Sequence, residues 1–280
     1  MSGLYNVVLG VGAAERGAPG LLRRVRHKDA AFTIDAPDEI GLVLTLSEGH
    51  RVERRMNGRT ANEPPRIGRI TLMPPGYPAR FSVTGPARVL MLRLPWPAMA
   101  DWLAEDHDAD PDRIEIQPRF HDDDPMLARL LYRAAAEQDG GEEAVARSVA
   151  ARLLTNHAAG KAHVTHAPRR GGLAPARLRR VLDRIEAGLQ HPLSLGVLSA
   201  EAGMSPFHFA REFQGATGVS PHQYVIRRRV ERAVCLLSRR ELEISQVAHG
   251  AGFAHASHLA RHMRRHVGLT PEVFRNRVLP

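Results

Sequence analysis

The sequence predicts an α+β chain. A small N-terminal β-barrel with flanking helices precedes an all-α domain, in which a long linker helix joins two helix-turn-helix units. Three observations predict it. The first 95 residues hold short strand-like runs broken by turn signals. From Trp96 the apolar spacing becomes helical. One pattern then occurs twice, from Leu193 to Tyr224 and from Leu242 to Phe274. The expected domains are 1–159, a linker at 160–172, and 173–280.

The strand-like runs are Ala31–Ile34, Leu42–Leu46, Arg51–Met56, Arg69–Met73, Arg80–Val83 and Arg88–Leu94. Asn57-Gly58 is a hairpin turn signal, and Pro74-Pro75-Gly76 and Gly85-Pro86 read as strand ends. Many short strands with such turns suit a small barrel or a two-sheet jelly roll, either filled with side chains or enclosing a ligand. Met73, Tyr77, Phe81 and Met91 are candidate cavity residues, although strand spacing favours core. His50 lacks an H-x-H partner and reads as a loop or strand-end histidine. His121 lies beside Asp122, Asp123 and Asp124; the cluster reads as a helix start, with Asp124 as cap and Pro125 in the first turn, rather than as a metal site.

Helices are expected over Pro97–Glu105, with Trp96, Met99 and Trp102 packing on the barrel, and over Met126–Gln138 and Glu142–His157. The last two either cover one sheet or pair with those of a second subunit; a two-fold DNA reader would gain from the pairing. Gly160–Gly172 has the composition of a linker.

In the duplicated region, Leu195, Leu198, Ala202, Gly203 and Met204 reappear as Ile244, Val247, Ala251, Gly252 and Phe253. One residue out of step, Phe209, Arg211, Phe213, Gly218, Pro221 and Tyr224 reappear as Leu259, Arg261, Met263, Gly268, Pro271 and Phe274. Each copy reads as a short apolar helix, a glycine turn and a second helix, with Ser205 and Pro206 at the start of the first copy's second helix. Burying Phe209 and Phe213 leaves Phe207, His208, Ala210, Arg211 and Gln214 outward; burying Leu259 and Met263 leaves His255, Ala256, Ser257, His258, Arg261, Arg264 and Arg265 outward. Such a helix fits the major groove. Between the copies, Pro221 to Ser238 reads as a rod of about 18 residues, roughly 27 Å long, with Arg227, Arg228, Arg229 and Arg232 off its buried side. Adjacent major-groove faces lie ~34 Å apart, a span that the rod and its flanking helices suit.

The net charge of +9 is one-sided: residues 173–280 hold 16 Arg against 8 acidic residues, whereas residues 1–166 hold 21 basic and 22 acidic. A basic domain of this kind suits phosphate attraction. Cys235, the single cysteine, excludes an internal disulfide and a multi-cysteine metal site and reads as a buried thiol. Neither a transmembrane run nor a signal peptide is read, and no nucleophile-elbow, P-loop or dinucleotide fingerprint occurs.

The stretches SPFHFAREFQGATGVSPHQY, RRRVERAVCLL and ISQVAHGAGFAHASHLARHMRRHVGLTPEVFR resemble the DNA-binding domain of AraC/XylS-type transcription regulators. The resemblance covers about 174–277, and the first half is similar to the family's cupin-like sensory barrel in architecture. It implies a single-chain regulator, not an enzyme, often dimeric and often responsive to a small molecule. It places base-facing positions at Phe207, Ala210 and Arg211, and at Ala256, Ser257 and Arg261. Met263 stands where the family usually has an aromatic residue, and Gln214 where it has Lys. The expected partners are double-stranded DNA at a promoter or operator, RNA polymerase, a small-molecule effector and a second copy of the chain, in the cytoplasm at the nucleoid, with no membrane, cofactor or metal. Two alternatives are a cupin-like metal-dependent enzyme tethered to a nucleic-acid-binding module, and a non-specific architectural binder.

Overall fold

The computed structural model of the chain describes residues 21–34, 38–56, 58–62, 64–107, 114–136, 142–157 and 173–279. They fall into two compact units. The first lies within Met1–His163 and takes in Val267–Leu269 and Val273–Pro280; the second lies within Val164–His266 and takes in Thr270–Glu272. The linker expected at 160–172 lies outside the described residues. The chain's last residues, expected with the C-terminal domain, group with the first unit.

The first unit is a seven-stranded, nearly closed barrel-like sheet with helices against it. Its strands are β1 (Leu21–Ile34), β2 (Glu39–Thr45), β3 (Arg51–Met56), β4 (Arg59–Ala61), β5 (Ile70–Met73), β6 (Ala79–Pro95) and β7 (Arg119–Asp122). β6 organises the sheet. One of its edges pairs with β1 from Leu21↔Arg93 to Ile34↔Ala79; the other pairs with β3 through Arg51↔Thr84 and with β2 from Glu39↔Pro95 to Thr45↔Val89.

Two runs expected as separate strands, Arg80–Val83 and Arg88–Leu94, are therefore one strand of 17 residues. Gly85 does not end it. With φ +90° its N–H donates to Asp29 Oδ1 at 2.8 Å, Asp29 itself has φ +51°, and the β1 register shifts between Lys28 and Ala30. Lys28 pairs with Pro86 and Ala30 with Val83, so Asp29 stands opposite both Thr84 and Gly85; β6 carries one extra residue there, the sheet bends and pairing resumes. β1 is also longer than the expected Ala31–Ile34, because full-length pairing to β6 carries its charged half, LLRRVRHKDA, into the sheet. The expected hairpin is present: Met56 pairs with Arg59 and Gly58 has φ +70°, while Asn57 lies outside the described residues.

Cross-strand partners share a face. Ile40↔Leu94, Leu42↔Leu92 and Leu44↔Leu90 form one fully buried layer. Helices α1 (Trp96–His107) and α2 (Pro125–Ala136) contact β6, and α3 (Glu142–His157) packs on α1 and α2. Met99, Trp102, Leu103, Leu127, Leu131, Val149 and Leu153 are buried there, each contributing about 1.5–3 kcal/mol before entropic costs. Asp124 caps α2 as read from the sequence: its Oδ1 accepts from the N–H groups of Met126 and Leu127 at 3.1 and 3.0 Å, and Arg152 of α3 pairs with the carboxylate at 2.8 Å. The side chain of His121 lies outside the described residues.

The second unit holds α4 (Pro175–Gly188), α5 (Leu195–Ala202), α6 (Pro206–Thr217), α7 (Pro221–Leu237), α8 (Ile244–Gly250) and α9 (Ala256–His266). After it, α10 (Pro271–Val273) continues as a π-helical turn over Phe274–Val278, with Phe274 and Val278 buried. Val181, Ile185, Leu198, Ala202, Phe209 and Phe213 form one core. Three local expectations differ. Leu195 is 41% exposed, since the first turn of α5 stands clear of that core. Ser205 occupies the N-cap of α6 but its side chain makes no cap bond. Cys235 is half-buried rather than buried.

Candidate nucleic-acid interface

Two helices carry the residues singled out for DNA. In α6, Phe209 and Phe213 are fully buried, with ring centroids 5.4 Å apart, and Tyr224 of α7 meets Phe213 edge-on at 5.5 Å. This i, i+4 anchor fixes the helix's rotation. It leaves Phe207 (82% exposed), His208, Arg211 and Gln214 in solvent and Ala210 half-buried. In α9, Leu259 and Met263 are fully buried; His255, Ser257, Arg261, Arg264 and Arg265 are exposed, and Ala256 and His258 half-buried. Met263 fills the core where an aromatic was expected by resemblance.

The two arginines foremost in the sequence differ. Arg211 donates to Glu212 Oε1 from Nε and Nη2, at 3.2 and 3.1 Å, while remaining 70% exposed at its side chain. His208 Nε2 also lies 3.6 Å from that carboxylate. Arg261 is exposed on the open face of α9.

The arginines of α7 hold the domain together. Arg228 is buried and bonds both Glu186 of α4, at 2.5 and 2.8 Å, and Glu231. Arg227 bonds Glu231 at 3.1 Å. Arg229 donates to the carbonyls of Leu189 and His191, at 2.9 and 2.8 Å, and Arg232 to that of Gly250, at 2.8 Å. Carbonyls at helix C-termini lack intrahelical partners and attract cations. One rod of 17 residues, about 25 Å long, thus holds the end of the α4 segment and the end of α8. Sequence reasoning missed this because the partners of Arg228 and Arg229 lie about 40 residues away.

α9 also carries a histidine ladder, legible only as the spacing His258, His262, His266. The His258 and His262 Nε2 atoms are 3.0 Å apart, Phe253 stacks on His262 at 5.7 Å with the ring planes 28° apart and meets His258 edge-on at 5.4 Å, and His266 continues the stack 6.3 Å from His262. Burial first, then His258, Arg261, His266 and His222, push the His262 imidazole down to about 4. Its Nδ1 is buried with no partner among the described residues, which further disfavours a second proton. Burial, followed by nearby cations, pushes His258 and His266 down as well. The ladder is neutral at pH 7, so the positive face of α9 is made by Arg261, Arg264 and Arg265.

A depressed His pKa means that the unfolded chain binds more protons below its ordinary 6.5. The ladder's contribution is full above that pH and declines as pH falls towards 4. Thermal unfolding of the full chain should show the C-terminal transition falling between pH 7 and pH 5. His262→Gln should flatten that slope; an unchanged slope would refute the assignment.

Among the described residues no three His, Cys, Asp or Glu side chains gather as a metal-ligand group. No helix among them is long and apolar enough to cross a membrane.

Residues 198–277 match a family described as "Helix-turn-helix domain". The probable transcriptional regulator LumQ of Photobacterium leiognathi is 37% identical over 97 residues, 34% of this chain and 39% of LumQ. The match thus spans well under half of that relative. Among solved structures, the DNA-binding domain of AdpA in complex with a target DNA is 33% identical, covering 36% of this chain and 90% of that one, with a TM-score of 0.34. A regulator from Chromobacterium violaceum with an AraC-type DNA-binding domain is 28% identical over 36% of this chain and 90% of its own, also at 0.34.

Proposed function

We propose that the C-terminal domain, whose residues 198–277 match the helix-turn-helix family, is of the AraC type and that the whole chain is a sequence-specific regulator of transcription. One observation carries the reading: the basic domain presents two separate helices, α6 and α9, each rotated by buried i, i+4 anchors so that its polar side faces solvent. Arg211, Gln214, Arg261 and the N-terminal residues Phe207, His208, Ala210, His255, Ala256, Ser257 and His258 supply base-edge or phosphate contacts, and Arg264 and Arg265 hold phosphates. Ala210 and Ala256 touch at most a thymine methyl. Because Arg227, Arg228, Arg229 and Arg232 already serve the fold, phosphate attraction falls chiefly to the exposed arginines of α9 and to Arg211.

In this reading the barrel is a sensor that binds a small-molecule effector, the chain works as a homodimer through the α2–α3 layer, and RNA polymerase is a further partner in the cytoplasm. The barrel-enzyme alternative needs clustered His and carboxylate ligands; the described residues lining the barrel's cavity include His50 and no carboxylate.

A gel-shift series with the promoter region beside the chain's own gene, at 50 and 200 mM salt, tests the proposal. A retarded complex that survives excess random duplex is expected. Equal competition by random DNA at both salts would favour the non-specific architectural alternative.

A further inference from the structure

Among the described residues four large apolar side chains are exposed: Met126, Leu195, Val197 and Phe207. The first three keep half or less of their surface in solvent, whereas Phe207 keeps 82%. A fold gains by burying a phenyl ring and forgoes that gain here. The reason is local. Ser205 and Pro206 start α6, and Phe209 and Phe213 turn the helix into the core. Phe207 precedes Phe209 by two residues, about 200° of helical turn, so it lies on the far side from the core. Side chains lean towards the N-terminus of their helix, so this ring leads α6. A helix in the major groove sets its early residues against base edges.

Phe207, Ala210, Arg211 and Gln214, at i, i+3, i+4 and i+7, share one stripe of α6. Its cation is already engaged: Arg211 Nε and Nη2 donate to Glu212 Oε1. His208, beside the stripe, lies 3.6 Å from the same carboxylate. The side chains of Phe207 and Ala210 carry neither donor nor acceptor. The leading half of the stripe therefore offers apolar surface. In the second copy Ser257, Arg261 and Arg264 hold the places of Phe207, Arg211 and Gln214, and all three are exposed. One duplicated frame thus presents two different chemistries.

The apolar group that marks a base edge in the major groove is the C5-methyl of thymine; guanine, adenine and cytosine are told apart by hydrogen-bond donors and acceptors. A phenyl ring against those groups strips their water and returns no hydrogen bond, which costs affinity. Against a methyl group, both partners leave water at a gain. We infer that α6 reads thymine through its methyl group, with Phe207 as the specificity-determining residue and Ala210 beside it, while α9 reads by hydrogen bonds and charge. This rests on the regulator reading and names the base feature that its first reading helix takes.

Competition gel shifts of the full chain test it, on the duplex it prefers and on copies with each thymine replaced in turn by uracil. That replacement removes the methyl group and leaves the base pair. At one or two positions within one half of the site, uracil should weaken binding about four-fold, the ~0.8 kcal/mol of one buried carbon, and leave the salt slope unchanged. Phe207→Ala should bind the thymine and uracil duplexes equally, and Phe207→Leu should keep part of the discrimination. The thymine–uracil comparison on the unaltered chain decides the matter even where a variant fails to fold. A complex indifferent to uracil at every position would overturn the proposal. So would discrimination undiminished in a folded Phe207→Ala variant, which would place the ring off the duplex. A chain that prefers no thymine duplex over random DNA would sink the regulator reading and this proposal with it, a result distinct from a specific complex indifferent to uracil.

Discussion

Gly252→Ala should destabilise the C-terminal domain by roughly 4 kcal/mol, whereas Gly203→Ala should cost only ~1–2 kcal/mol. The two glycines occupy equivalent places in the sequence duplication, and both have positive φ, +89° and +63°. An alanine at either pays for the left-handed backbone. Their surroundings differ. A Cβ at Gly203 meets nothing within 4 Å, but one at Gly252 falls 1.9 Å from the Leu189 carbonyl oxygen and 2.7 Å from Arg229 Nε. That carbonyl is backbone, and Arg229 holds it at 2.9 Å, so neither atom yields cheaply. Calorimetry of the full chain should place the C-terminal transition of Gly252→Ala more than about 10 °C below that of Gly203→Ala. Equal losses would mean that the end of α4 and the turn between α8 and α9 are not packed as described.

Arg261→Ala should weaken binding to a preferred duplex by about 10- to 100-fold, the ~1–3 kcal/mol of a bidentate contact to guanine, and should relax the preference at one base pair. Arg211→Ala should cost less, because its guanidinium gives up Glu212 before it reaches a base. Arg264→Ala and Arg265→Ala should weaken all sequences evenly and lower the salt slope by about one. Competition gel shifts against a panel of single-base-pair variants separate these outcomes. Uniform loss in Arg261→Ala would assign that residue to phosphate instead.

How much of this was legible in the sequence depends on where each signal comes from. Local signals read well. β3 and α3 have the expected bounds, Asp124 and Pro125 start α2, and Phe209/Phe213 and Leu259/Met263 set the buried sides of α6 and α9. Non-local effects did not. Gly85-Pro86 has the chemistry of a turn, and only the partner strand, through Asp29, turns it into a bulge. The arginines of α7 look like a solvated basic face until Glu186, Leu189 and Gly250 are brought to them. The inward Arg54 was half-legible: Val52 and Met56 alternate around it, and strand period alone points it into the barrel. Its charge argued the other way, and only the folded sheet decides between them.

In the proposed complex one rod, α7, presents two groove-reading helices to a single duplex. A hydroxyl-radical footprint of the full chain on a fragment it retards in the gel shift tests this most directly. Two protected segments are expected on one face of the duplex, centred about one helical turn, ~10 base pairs, apart, one weakened in Arg211→Ala and the other in Arg261→Ala. A single protected segment, or two on opposite faces of the duplex, would contradict it.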